Sequence, residues 1–258
     1  MSKKNQVITE LFNRSKKSGN YIFNNETVKE ISKRIGVGNP FDVTKLDNTD
    51  KFPEILIKND FYIIHLGNGK HKFINGIKNG FHNFEQIENK NIFEWKYRQS
   101  ILNEYDTSES NILSVGFNQR IIHDFLYDDI VASPKMYGSR RTKTSLNYKI
   151  ANEVINSTNI QMEIDLTTEY NGIVTVFEGK NNFPNNFAVY QLYFPFLYFY
   201  NLKKQKELNI SEINCCYLLR KKQNSKSIIR VYQYTFRNPF DMASIELTKN
   251  AQYILVKR

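Results

Sequence analysis

Apolar positions recur along the chain in two rhythms, one helical and one of period two. Residues 7–17 (VITELFNRSKK) place apolar side chains at helical spacing ahead of a basic end, which predicts a short amphipathic helix. Tyr21-Ile22-Phe23 reads as a small extended piece. Asn24 and Asn25 can cap a helix over 26–35, where Val28, Ile31 and Ile35 share a face and Gly36 is a natural stop. Asn39 and Pro40 offer a second cap, opening a short helix through Leu46. After a polar loop, FYIIHL and HKFING flank Gly67-Asn68-Gly69-Lys70 and predict a hairpin.

Beyond residue 85 the pattern changes. NIFEWKYRQSILNEY suggests a helix with Ile92, Trp95, Ile101 and Leu102 inward, 111–117 a strand, and 120–126 a short helix. A domain boundary is placed near residue 90, giving a small module over 1–90 and a larger domain over 91–258. SPKMYGSRRTKT (133–144) reads as a basic, turn-rich loop, and 146–157 is ambiguous between helix and strand. QMEIDLTT and GIVTVFEGK alternate as two strands joined by a turn. The run 187–202 is rich in aromatics at helical spacing, too short to span a membrane comfortably, and is read as a core helix. INCCYLLR and SIIRVYQYTF predict a hairpin around the polar turn KKQNSK, with one or two further strands over 242–248 and 252–256. The fold class expected is α/β (α+β): a mixed central sheet flanked by helices.

Composition adds three constraints. The 258 residues, with 16 Tyr and 19 Phe, can bury a real core. The net charge of +10 suits a polyanion partner, nucleic acid above all, or simply a solvated Lys-rich surface. Cys215 and Cys216 are adjacent on a strand and point to opposite faces, so they do not share a metal; two free thiols fit a reducing cytoplasm. The N-terminal residues lack an apolar signal core. His65, His71, His82 and His123 are scattered without a metal spacing, and there is no P-loop, GxGxxG or GxSxG.

The acids of the two central strands carry the candidate chemistry. Met162, Ile164 and Leu166 share one strand face, with Glu163 and Asp165 on the other. Val174, Val176, Glu178 and Lys180 share a face of the next strand, where Asp165 can meet them across the sheet. Two carboxylates beside a lysine suit a hard cation such as Mg²⁺, which prefers carboxylate oxygen and keeps several waters. Glu163 could be a further ligand or a supporting group, and Glu153 could reach the metal from the preceding element.

Asp165, twelve intervening residues, then Glu178-Gly179-Lys180 resembles the PD-(D/E)XK nuclease superfamily, and the flanking FEGK and YQLYFPFLYFY resemble its type II restriction endonucleases. The resemblance covers roughly 145–220. Ile164 stands where the family name has Pro, and Pro195 where a QxxxY form would have Tyr. It implies a restriction-endonuclease-like core in which Asp165 and Glu178 bind Mg²⁺, Lys180 serves the attacking water and Gln191 supports the site. The N-terminal helix, turn, helix and basic hairpin resemble a winged helix, which implies double-stranded DNA as partner. Lys33, Arg34, Lys45, Lys70 and Lys72 would then meet phosphates. Arg140, Arg141 and Lys143 of the basic loop suit phosphate or guanine recognition, or a solvated loop. The expected activity is Mg²⁺-dependent cleavage of duplex DNA by a cytoplasmic enzyme, in one copy or as a homodimer. A repair nuclease of the same fold and a non-catalytic DNA-binding regulator are the alternatives.

Overall fold

The computed structural model describes residues 1–102, 108–205, 207–223 and 226–257. The tip of the KKQNSK turn and the end of the helix expected through residue 105 lie outside them.

The N-terminal region follows its sequence pattern. Helix α1 (Lys3–Ser18) buries Val7, Ile8, Leu11 and Phe12, and strand β1 (Ile22–Asn24) follows it. Helix α2 (Asn25–Ile35) is capped by Asn24, whose side chain accepts from Thr27 N, and stops at Gly36 in the left-handed region at φ 78°. The second cap opens only a 3-10 turn, Pro40–Asp42, and another turn covers Thr49–Lys51. A six-residue helix, α3 (Glu54–Asn59), starts at the last residue of the polar loop NTDKFPE and runs towards the hairpin, over a stretch without an assignment from its pattern. Strands β2 (Phe61–Gly67) and β3 (Lys70–Asn75) form the expected hairpin, and β1 adds to β3 to give a sheet of order β1-β3-β2. A single turn, α4 (Ile77–Gly80), leads to β4 (Phe81–Asn83).

Three expectations are corrected between residues 91 and 150. NIFEWKY is not helical: β5 (Ile92–Tyr97) is a strand lying parallel to the last strand of the chain. Its Ile92/Trp95 spacing fits a helix turn equally well, and the partner that decides for strand is some 160 residues downstream. Residues 111–117 are not a strand but part of helix α5 (Glu109–Asn118), whose first turn is capped by the Ser108 hydroxyl accepting from Asn111 N at 3.2 Å. Helix α6 (Ile121–Tyr127) follows as expected. The basic loop is largely extended, giving β6 (Lys135–Tyr137) and the start of β7 (Arg140–Ile150).

Strand β7 pairs with β8 (Glu153–Ile164) in a long separate hairpin. The single strand read through Asp165 therefore breaks there. Met162 and Ile164 bury on one side, whereas Leu166, the first residue of β9 (Leu166–Tyr170), buries in the core on the other side of the main sheet. Strand β10 (Ile173–Lys180) folds back antiparallel on β9 through Asn171-Gly172. Short β11 (Asn186–Ala188) pairs with β4, and the aromatic stretch forms helix α7 (Tyr190–Lys204). Then come β12 (Glu212–Gln223), β13 (Lys226–Phe236) and one long strand, β14 (Ile245–Lys257).

The result is a mixed α/β fold around a seven-stranded sheet of order β5-β14-β13-β12-β10-β9-β6. Helix α7 is the crossover that lets β12 run parallel to β10. Alternation along the strands feeds two cores. Val174, Val176, Cys215 and Tyr217 face α7, the β7–β8 hairpin and the N-terminal helices, whereas Phe177, Cys216 and Leu218 face α5 and α6. The two cysteines do point to opposite faces, and burial pushes both thiols well above their usual range. The first core is continuous from Val7 to Met242. No helix among the described residues is long and apolar enough to cross a membrane.

Candidate functional site

The antiparallel turn at Asn171-Gly172 places the start of β9 beside the end of β10, since Leu166 is opposite Phe177. Asp165 and Glu178-Gly179-Lys180 therefore meet at one end of the sheet. The Asp165 Oδ2 atom accepts from Gly179 N at 3.2 Å. Lys180 Nζ donates to Glu178 Oε1 at 2.8 Å, and Gln191 Nε2 donates to the same oxygen at 2.8 Å. Gln191 stands in the first turn of α7, and its own Oε1 accepts from the buried Tyr217 hydroxyl at 3.2 Å.

A further acid belongs to the group. Glu109, the first residue of α5, pairs with Lys180 Nζ at 3.0 Å. Helix α5 can come this close because residue 179 is glycine. A Cβ there would stand 3.0 Å from the Glu109 carbonyl oxygen and 3.3 Å from Leu113 Cγ. Sequence reading did not reach Glu109, because it precedes 111–117, which reads as a strand and hides the helix that Glu109 begins.

Burial sets the charge states. Glu178 is 8% exposed, and desolvation pushes its carboxyl up to about 8 against the pull of Lys180, with Asp165 and Glu109 adding to the rise. Burial also raises Asp165, opposed by the Gly179 N–H and by Lys180. For Lys180, burial works against the ammonium, but Glu178 and Glu109 outweigh it and hold the group protonated, above its ordinary range. Among the described residues, Asp165 Oδ1 and Glu178 Oε2 carry no hydrogen bond. No group of three or more His, Cys, Asp or Glu among those residues is arranged to hold a metal ion. Two carboxylates with a free oxygen each suit a cation that keeps most of its water, which is the habit of Mg²⁺.

Other candidates fall elsewhere. Glu153 begins β8, at the opposite end of that strand from Asp165, and pairs with Lys72 at 2.7 Å. It is not brought to the site. Glu163 is drawn to Arg141, its cross-strand neighbour, at 3.1 Å, though its charge still acts on Asp165. Arg140 lies over the rings of Tyr198 and Phe199, and Lys143 is exposed on β7. Lys33 and Arg34 end α2, where Arg34 pairs with Glu10; Lys45 pairs with Asp42 at 3.8 Å.

Lys70 is exposed, but its hairpin is not free. Gly67, at φ 82°, lies so close to β8 that a Cβ would meet the Thr158 carbonyl oxygen at 2.0 Å. The histidines are not all scattered either. His65 and His71 are opposite each other on β2 and β3, and their Nδ1 atoms are 3.0 Å apart.

The scaffold is thus a mixed α/β sheet carrying a buried acid–lysine–glutamine cluster at the end of two neighbouring strands. Residues 76–254 match the family described as Domain of unknown function (DUF6997), which is more than half of the chain, and the chain belongs to that family. Residues 5–73 match a second, described as Domain of unknown function (DUF6996), so the two meet just after β3. No curated protein and no solved structure matches the chain.

Proposed function

We propose that the protein is a Mg²⁺-dependent endodeoxyribonuclease that hydrolyses phosphodiesters of double-stranded DNA. One observation carries the reading: Asp165, Glu178 and Lys180, separated by up to 15 positions, meet at a strand end, Lys180 bonded to Glu178 and Asp165 to the Gly179 N–H between them. Asp165 and Glu178 would hold the cation, which when bound supplies Lewis-acid stabilisation of charge on a phosphodiester oxygen. Gln191 fixes the orientation of the Glu178 carboxylate through the chain Tyr217–Gln191–Glu178. Lys180 arrives as a donor already held by two acids, which favours orienting the attacking water and offsetting developing negative charge over abstracting a proton.

The restriction-endonuclease setting rests on the resemblance of Asp165…Glu178-Gly179-Lys180 to the PD-(D/E)XK enzymes. A winged-helix-like role for the N-terminal region is supported by its element order, α1-β1-α2-α3-β2-β3, and by the sheet order β1-β3-β2. Its packed hairpin argues that any DNA contact there comes from helices and loops. Cleavage of both strands in one encounter would favour a homodimer.

The test is direct. Supercoiled plasmid incubated with the protein and Mg²⁺ should be cut, and Lys180→Ala should lower the rate by about 100-fold or more, the usual effect of removing a group that stabilises transition-state charge. Uncut plasmid, or equal cutting by the variant, rejects the proposal. A fixed band pattern on linear duplex supports restriction, whereas cutting confined to flaps or junctions supports a repair enzyme.

A further inference from the structure

Lys180 and Glu109 of the cluster face a cleft that the N-terminal segment helps to build. A cavity of about 180 Å³ is lined by Lys180, Glu109 and Tyr217 on one side and by Asp47, Asn48 and Lys51 on the other. The second group belongs to the chain before residue 73, the first to the chain after residue 76. The N-terminal wall is fastened in place. Thr49 N donates to Asn186 Oδ1 at 2.9 Å, Asn186 Nδ2 donates to Thr49 Oγ1 at 2.5 Å, and Ala188 N donates to the Asp47 carbonyl at 2.8 Å.

Two residues on this wall bear on a ligand. Asn48 lines the cavity, and its Oδ1 atom is buried with no hydrogen-bond partner among the described residues. The Lys51 side chain is 52% exposed and, among the described residues, is held by Asp47 alone, at 3.2 Å. An exposed pair of this kind is weak and readily exchanged for a stronger anion. The cavity has room for roughly six waters at ~30 Å³ each. That is too small for a duplex and suits one phosphate with part of its sugar.

We propose that Lys51 and Asn48 hold the nucleotide next to the scissile phosphate, so that both family segments form a single substrate cleft. The inference rests on the nuclease reading and extends it: the N-terminal segment takes part at the reacting strand and does not only grip DNA elsewhere. Lys51 leaves Asp47 for a phosphate oxygen when substrate enters, and Asn48 Oδ1 accepts from an N–H of the adjoining base.

The experiment pairs steady-state plasmid cleavage in Mg²⁺ with binding of a short fluorescein-labelled duplex in Ca²⁺ across a salt series. For Lys51→Ala, KM rises about three- to tenfold with kcat within about threefold, and the slope of log affinity against log salt falls by about one, the signature of one lost phosphate contact. Lys51→Arg keeps the slope, and Asp47→Asn, which frees Lys51, tightens binding. If the parent cuts while Lys51→Ala keeps the full slope and KM, the shared cleft is rejected and the nuclease reading stands. If the parent neither cuts nor binds, both are rejected. A loss in Lys51→Ala matched by an equal loss in Asp47→Asn marks a structural ion pair and also overturns the inference.

Discussion

Glu178 is the residue on which the site turns. Its carboxylate is buried, hydrogen-bonded by Lys180 and Gln191, and pushed up to about 8 by desolvation. Under the proposed Mg²⁺ role, a divalent cation must displace the proton that Glu178 holds below that value. Apparent Mg²⁺ affinity should therefore rise as pH increases from about 6 towards about 8, by up to about tenfold per unit, and level off above. Titration calorimetry in two buffers of different ionisation enthalpy would detect the proton released. A pH-independent affinity with no proton release removes Glu178 from the ligand set. Glycine at 179 matters at this scale as well. Gly179→Ala adds a Cβ 3.0 Å from the Glu109 carbonyl and 3.3 Å from Leu113, and should cost about 1–3 kcal/mol in urea unfolding through overpacking. It should also lower cleavage, because α5 would carry Glu109 away from Lys180.

At the scale of elements, the site is made by three junctions. The break at Asp165 sends β8 to its own hairpin and β9 to the main sheet. The Asn171-Gly172 turn brings that break alongside the end of β10. The crossover through α7 lets β12 run parallel to β10 and positions Gln191 over Glu178. Arg140 and Arg141 of the basic stretch 133–144 sit on a regular strand, each already engaged, by aromatic rings and by Glu163. Lys135 of the same stretch pairs with Glu169, whereas Lys143 is exposed with no side-chain ion pair or hydrogen bond among the described residues.

At the scale of the molecule, the N-terminal helices and one face of the sheet share a continuous core. The chain should unfold as one unit. Ile31 is fully buried in α2, and Ile31→Ala should destabilise by about 2–5 kcal/mol. The single tryptophan, Trp95, packs in the other core, against Tyr253, on the far side of the sheet. Its fluorescence and the far-UV circular dichroism should nevertheless shift together in Ile31→Ala. A Trp95 transition unmoved while dichroism splits in two would show that the halves fold separately. This unity makes a substrate cleft between the two family segments mechanically reasonable, since their relative placement is held by packing as well as by the Asn186–Thr49 bonds.

Local pattern was enough for much of this. Helices with a capping residue and a stop, such as α2 between Asn24 and Gly36, are specified within a dozen residues. So are hairpins with a short polar turn, such as β2–β3, and the alternation that separates Cys215 from Cys216. The Asp165, Glu178 and Lys180 cluster was legible because a strand, a tight turn and a strand leave few ways to arrange their ends. Long-range partners decided the rest. Ile92–Tyr97 is a strand because β14 lies beside it, and Glu109–Asn118 is a helix because its Ile112, Leu113 and Val115 pack under the sheet. Glu153 and Lys72 found each other across 81 positions, and Glu109 reached Lys180 across 71. Backbone propensity and periodicity act over one or two turns, so the sequence alone determined the local elements and the acid–lysine cluster. Which strands pair, which acid joins that cluster and which segment walls its cleft depend on burying surface between distant parts of the chain, and only the tertiary structure decided them.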